Sequence, residues 1–266
     1  MKMQSKISGH GSPVVLIPGG LTGWMSWDPH ALRLASDRRV IQVQLLNVEY
    51  GYEQRDLPND YSVKTESRAL KRTLDNLCLP FATDFVAWSY GADVALDFAL
   101  DNPGMVRTLT LIEPPALWVL RAGGSFPDSL KGIPEMLRDL RGDITDEMLE
   151  SFMSVIGMVG AGQNPREMPQ WTLWRSYKQS LRHSPALSSQ YDSLDRLRAF
   201  DPPVMLVKGS GSAVFLHSII ERLASNLPNA RVAELAGGHA PHIVSMETFL
   251  ELLASFHDRR QQLKAS

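Results

Sequence analysis

Six short apolar runs, spaced between longer amphipathic stretches, constrain this chain more than any other feature. They are Val14 to Ile17, Arg39 to Leu46 (RVIQVQLL), Phe85 to Trp88, Thr108 to Ile112, Val204 to Val207 and Arg231 to Leu235. Each is too short for a core helix, and most are rich in β-branched residues, which suits buried strands. Between them lie helical patterns. Leu70, Leu74 and Leu77 mark one face of a helix over 67–77, and Ala92 to Leu100 is closed by Asn102-Pro103-Gly104. Leu216 to Leu227 and Met246 to Phe256 read as two more. This alternation predicts the α/β class, a mostly parallel sheet with helices on both faces.

The alternation pauses after Pro115. Residues 116–199 are helical in pattern, bear Met and Trp, and contain no convincing strand. The last strands and helices need the first sheet to pack against. The expected organisation is therefore one core, 1–115 and 200–266, carrying a helical insertion, 116–199.

Charge narrows the function classes. Lys and Arg number 27 against 29 Asp and Glu, a net charge of −2, with no basic run. Nucleic-acid binding rests on phosphate neutralisation, so no such partner is expected. The single cysteine cannot form an internal disulfide. Cys78 reads as a core residue of an apolar helix, with no basic neighbour to activate it. No apolar run reaches the roughly 18 residues of a membrane span. Met1 to Ser12 is polar and lacks the apolar core of a signal peptide. The expectation is a cytoplasmic protein with no membrane partner.

Ala87-Trp88-Ser89-Tyr90-Gly91 follows a predicted strand and opens a predicted helix. That is the context of a nucleophile elbow, in which a tight turn lifts a serine above the sheet. Three further motifs follow predicted strands: Pro18-Gly19-Gly20, Leu111-Ile112-Glu113-Pro114-Pro115 and Gly237-Gly238-His239-Ala240-Pro241. With these four in order, the chain resembles the α/β-hydrolase superfamily from Val14 to Phe256. The resemblance implies an α/β-hydrolase fold with a helical cap, here 116–199, between strands 6 and 7. One departure is Ala87, where the elbow usually has glycine.

The base should lie after the last strand, in the order Ser, acid, His. His239 takes that place, flanked by glycines that let the loop bend. His242, beyond Pro241, is its rival. His10, His30, His183, His217 and His257 sit in no motif and read as structural.

The acid is less direct. Relatives usually carry Asp in the loop after strand 7, but here Lys208-Gly209-Ser210-Gly211-Ser212-Ala213 puts Gly211 at that position. An imidazolium needs an orienting carboxylate. Glu113, after the sixth strand, is at the correct sheet edge. A similar strand–Glu–Leu–Pro element occurs in the fungal zearalenone-lactonase family, which the chain resembles here. A dyad without an acid, or a carboxylate from elsewhere such as Asp192 or Asp195, stays open. Asp201 precedes its strand and belongs to the opposite edge.

Backbone N–H groups of Gly20 and Tyr90 are the expected oxyanion donors, with Leu21 as fallback. The Gly-Gly pair lacks the Lys-Ser/Thr of a phosphate-binding loop. The expected substrate pocket is formed by Leu21, Trp88, Trp118, Met153, Trp171, Trp174 and His242, with much of the tryptophan surrounding one apolar site. The three glycines at 157, 160 and 162 suggest a hinge over 156–164. His239-x-x-His242 lacks further ligands for a metal, and no cofactor is expected. The sequence thus predicts a serine hydrolase acting on a small hydrophobic, in part aromatic, ester or lactone. A non-catalytic ligand-binding homologue, or a carbon–carbon bond hydrolase or perhydrolase with the same triad, is the alternative.

Overall fold

The computed structural model describes residues 1–79, 82–122, 124 and 126–263, with side chains to residue 258. Gly123 and Ser125 of the predicted insertion, and the last three residues of the predicted core, lie outside the described residues.

Seven strands form one sheet. They are β1 (Ser5–Ser8), β2 (Ser12–Ile17), β3 (Arg38–Val43), β4 (Thr83–Trp88), β5 (Val106–Ile112), β6 (Val204–Gly209) and β7 (Ala230–Leu235), in the order β1-β3-β2-β4-β5-β6-β7. Every pairing is parallel except β1 with β3. All six aliphatic runs are strands. Val14, Val15, Leu16 and Ile17 are fully buried, as are Val86, Ala87, Leu111 and Ile112. Burial on both faces explains why these runs read as continuous rather than alternating.

Helices α1 (Asp28–Leu34), α2 (Leu46–Tyr52), α3 (Val63–Asn76) and α4 (Tyr90–Asp101) connect the first strands. Among the described residues, six short α-helices lie between β5 and β6: α5 (Trp118–Arg121), α6 (Gly132–Asp139), α7 (Asp146–Val155), α8 (Trp171–Ser176), α9 (Ser184–Ser189) and α10 (Leu194–Arg198). Helices α11 (Val214–Ala224), α12 (Pro241–Val244) and α13 (Met246–Leu263) complete the chain. The helical segment lies between β5 and β6 in this numbering, the two strands that the resemblance counts as sixth and seventh.

Strand order places the site. After β2 the chain steps outward to β3, then returns to β4 on the other side of β2. The carboxyl ends of β2 and β4 therefore sit side by side at a switch of direction, where α/β sheets bind ligands. Register carries this along the edge: Ile17 pairs with Ala87, Trp88 with Ile112, Ile112 with Val207 and Gly209 with Leu235. The Gly19-Gly20, Ser89, Glu113, Gly209 and His239 loops all leave from that edge.

Three local features differ from expectation. β1 is exposed throughout, and its pairing with β3 was not predicted. Residues 44–46 of the second run leave the sheet, and Leu46 starts α2. Cys78 is exposed, not core: it lies past the end of α3 with φ +45°.

Candidate active site

Ser89 follows β4 directly, with φ +54° and ψ −128°, a conformation that costs a side-chain-bearing residue energy. Its N–H donates to Ile112 O at 2.8 Å, so the sheet fixes the turn. Gly91 is required by close packing, since a Cβ there would lie 2.1 Å from Pro18 O. This is how the small residue two after the serine lets the β2 loop and α4 meet.

His239 lies on the loop between β7 and α12, and its Nε2 is 2.8 Å from Ser89 Oγ. Three contacts fix the loop around it. The His239 N–H donates to Gly157 O at 2.9 Å, Trp88 Nε1 donates to His239 O at 2.7 Å, and the indole and imidazole rings lie 5.8 Å apart.

Glu113 ends β5 with φ +50°, and its N–H donates to Val207 O at 3.0 Å. Its carboxylate is fully buried. Oε1 accepts from Gly209 N–H at 2.7 Å, and Oε2 accepts a short hydrogen bond from the Ser212 hydroxyl. The same Oε2 lies 3.5 Å from His239 Nδ1. That distance is long for a hydrogen bond, and His239 Nδ1 makes none among the described residues. The other carboxylates considered are elsewhere: Asp192 pairs with Arg196, Asp195 with Arg198, and Asp201 Oδ1 accepts from Asn229 Nδ2.

The Alpha/beta hydrolase family profile matches residues 14–252. The chain belongs to the alpha/beta hydrolase family. Its 2-hydroxy-6-oxo-2,4-heptadienoate hydrolase relative from Pseudomonas putida is 36% identical over 107 residues, 39% of this chain and 38% of that protein. The chain therefore spans well under half the length of that relative. Pimeloyl-[acyl-carrier protein] methyl ester esterase from Aeromonas salmonicida is 25% identical over 93% of this chain and 96% of the relative. Among solved structures, an esterase from Exiguobacterium antarcticum superposes with a TM-score of 0.76 at 20% identity, covering 96% of this chain and 95% of that one.

In this alpha/beta hydrolase an apolar pocket of about 700 Å³, counting its open mouth, lies over Ser89. Gly19, Gly20 and Leu21 line one side with Trp88, Ser89, Tyr90 and His239. Helices α6 and α7 and their flanks contribute Ile133, Met136, Met153 and Met158. Of the residues predicted for the pocket, Leu21, Trp88 and Met153 line it, and so do both expected oxyanion residues.

Trp118, Trp171, Trp174 and His242 do not. Trp118 is buried in the core at α5, and Trp171 and Trp174 pack α8 against the same core. His242 is fully buried behind Trp88, between the rings of Trp88 at 4.9 Å and Trp27 at 4.7 Å. Burial pushes its pKa well below the usual imidazole range, and neighbouring His30 pushes it further. His242 thus supports the back of Trp88. The tryptophans do not surround one site: only Trp88 lines the pocket, and methionines, leucines and phenylalanines do most of the work. The Gly157 end of the expected hinge is also pinned, by its bond to His239.

Two contributors carried no motif. Ser212, one residue past the vacant acid position, holds the Glu113 carboxylate. His183 lines the pocket beside Gly20 and Tyr90.

Proposed function

We propose that this alpha/beta hydrolase is a serine hydrolase cleaving an ester or lactone with an apolar body, through a Ser89–His239–Glu113 triad. The observation that carries the reading is the 2.8 Å contact of Ser89 Oγ with His239 Nε2 at the floor of an apolar pocket. In this scheme His239 takes the Ser89 proton as Oγ attacks the carbonyl carbon. Charge on the carbonyl oxygen is met by the backbone N–H groups of Gly20 and Tyr90. His239 then protonates the leaving alkoxide. In the second half His239 takes a proton from water, the resulting hydroxide attacks the acyl carbon, and Ser89 leaves with its proton restored.

Glu113 faces His239 Nδ1 and balances the imidazolium. Gly209 N–H and Ser212 Oγ–H donate to its two oxygens and hold the carboxyl group in that position. The helical segment 116–199 serves as a cap, supplying Met136, Met153 and Met158 to the pocket. Such adaptable side chains suit an apolar ligand more than a charged one.

Similarity to the 2-hydroxy-6-oxo-2,4-heptadienoate hydrolase favours a second reading, hydrolysis of a carbon–carbon bond next to a carbonyl by the same residues. Labelling with a fluorophosphonate probe tests the nucleophile: covalent modification of Ser89, lost in Ser89→Ala, is expected. A folded wild-type protein that stays unlabelled would mark a binding protein without turnover. Product analysis on paired ester and 1,3-dicarbonyl substrates separates the two bond types.

A further inference from the structure

The pocket is apolar except near its floor. Apart from Ser89 and His239, polar side-chain atoms come from Thr22, Trp88, Tyr90 and His183. Trp88 Nε1 is spent on His239 O, and the Tyr90 hydroxyl is 2.9 Å from that of Tyr61. His183 differs, because one ring nitrogen is committed and the other faces the site.

His183 Nδ1 is 2.8 Å from Ser180 O. Asn47 Nδ2 has three acceptor-bearing neighbours, Gly20 O at 2.7 Å, Ser180 O at 3.0 Å and His183 Nδ1 at 3.1 Å, and its two hydrogens go to the two shorter contacts, both carbonyls. Nδ1 must then carry the ring proton, since two unprotonated acceptors would repel at 2.8 Å. That leaves Nε2 with a lone pair. The edge bearing Cε1 and Nε2 lies against Gly20: a Cβ placed there would be 2.6 and 2.8 Å from these atoms. The ring also packs on Tyr90, centroids 4.0 Å apart. An acceptor is thus held over the two residues assigned to the oxyanion hole. Burial lowers the His183 pKa to about 4, so the ring is neutral through physiological pH.

We propose that His183 is a specificity-determining residue whose Nε2 accepts a hydrogen bond from a donor on the substrate. The preferred substrate then carries a hydroxyl or N–H beside the scissile carbonyl of an otherwise apolar acyl group. The proposal rests on the serine-hydrolase reading for where the carbonyl sits.

The test compares 4-nitrophenyl esters of a 2-hydroxyacyl, a 2-methoxyacyl and the matching deoxyacyl group. Wild-type kcat/KM should favour the hydroxy ester over the deoxy ester by about tenfold, the value of one net hydrogen bond, and should disfavour the methoxy ester. His183→Phe should lower hydroxy-ester kcat/KM by about tenfold more than deoxy-ester kcat/KM, so that the ratio of the two falls to near one, and His183→Gln should keep part of the preference. The preference should be flat from pH 6 to 9. Equal wild-type kcat/KM for hydroxy and deoxy esters overturns the proposal, as does a preference that survives in His183→Phe. An equal fall for both esters in that variant also overturns it, leaving the ring a packing role. Binding of the corresponding amides to Ser89→Ala protein, by calorimetry, reads the same preference without turnover. A hydroxy preference there, with no hydrolysis by wild type, would sink the hydrolase reading and keep the acceptor.

Discussion

Ser89 and Glu113 occupy the same place on neighbouring strands, and the chain treats them alike up to the side chain. Each is the first residue past its strand, each has φ near +50°, and each donates its N–H to the next strand, at 2.8 and 3.0 Å. What differs is the surroundings. Ser89 opens onto a pocket and meets an imidazole. Glu113 is sealed, and two donors hold its oxygens. One backbone device thus presents a hydroxyl to a pocket on one strand and a buried carboxyl group on the next, and the neighbouring loops decide which surroundings each meets.

Breaking the nucleophile half should have the largest effect. Ser89→Ala should abolish ester turnover and fluorophosphonate labelling, a loss of at least about 10⁴-fold in kcat with thermal unfolding unchanged. Glu113→Gln should lower kcat by about 10²–10⁴-fold, because a neutral amide neither orients nor balances the imidazolium. Near-normal turnover in a folded Glu113→Gln protein would remove Glu113 from the triad. The comparison sharpens if the acid is moved. A side chain at Gly211 has room, since the nearest atom to its Cβ is Gly237 O at 3.5 Å. Gly211→Asp in the Glu113→Gln background should recover about tenfold or more of the lost kcat. No recovery would mean that strand β5 is where this loop needs its charge. Ser212→Ala should change kcat by less than about tenfold, because Gly209 N–H still holds the carboxylate.

The smallest effect concerns stability and the helix that leaves Ser89. Burial lifts the pKa of Asp93, on α4, to about 8, and nearby Asp97 adds to this; Glu66 is lifted to about 7, again mainly by burial. A carboxyl with a raised folded pKa binds more protons than in the unfolded chain, so its contribution is full at low pH and lost as pH rises. His183 and His257, lowered to about 4 by burial, act oppositely, losing stability as pH falls below 6.5. Between about pH 7.5 and 8.5 the unfolded imidazoles are already neutral and the carboxyl contribution dominates the change. The melting temperature should fall by a few degrees, roughly, over that range, and Asp93→Asn should flatten the fall in differential scanning calorimetry. An unchanged slope would mean that Asp93 ionises without cost.

Much of this was legible in the sequence, for reasons that separate cleanly. The strands were readable because burial on both faces leaves continuous aliphatic runs such as Val14 to Ile17. Ser89 and His239 were readable because their turns need small or glycine neighbours. β1 was not, because an exposed edge strand needs no apolar run. The start of α2 was not, because Leu46 N–H and Asn47 N–H are capped by Glu66, some twenty residues away. His183 and Ser212 depend on partners that only the folded chain brings close. The tryptophans misled for a related reason: large aromatic residues fill a core as readily as a pocket, and composition does not tell the two apart.

The bond from His239 N–H to Gly157 O joins the histidine loop to the helical segment. A displacement of that segment that moves Gly157 must either part this bond or drag the imidazole away from Ser89. With His239 as the base we propose, access to the pocket and the position of that base would be coupled through this one bond.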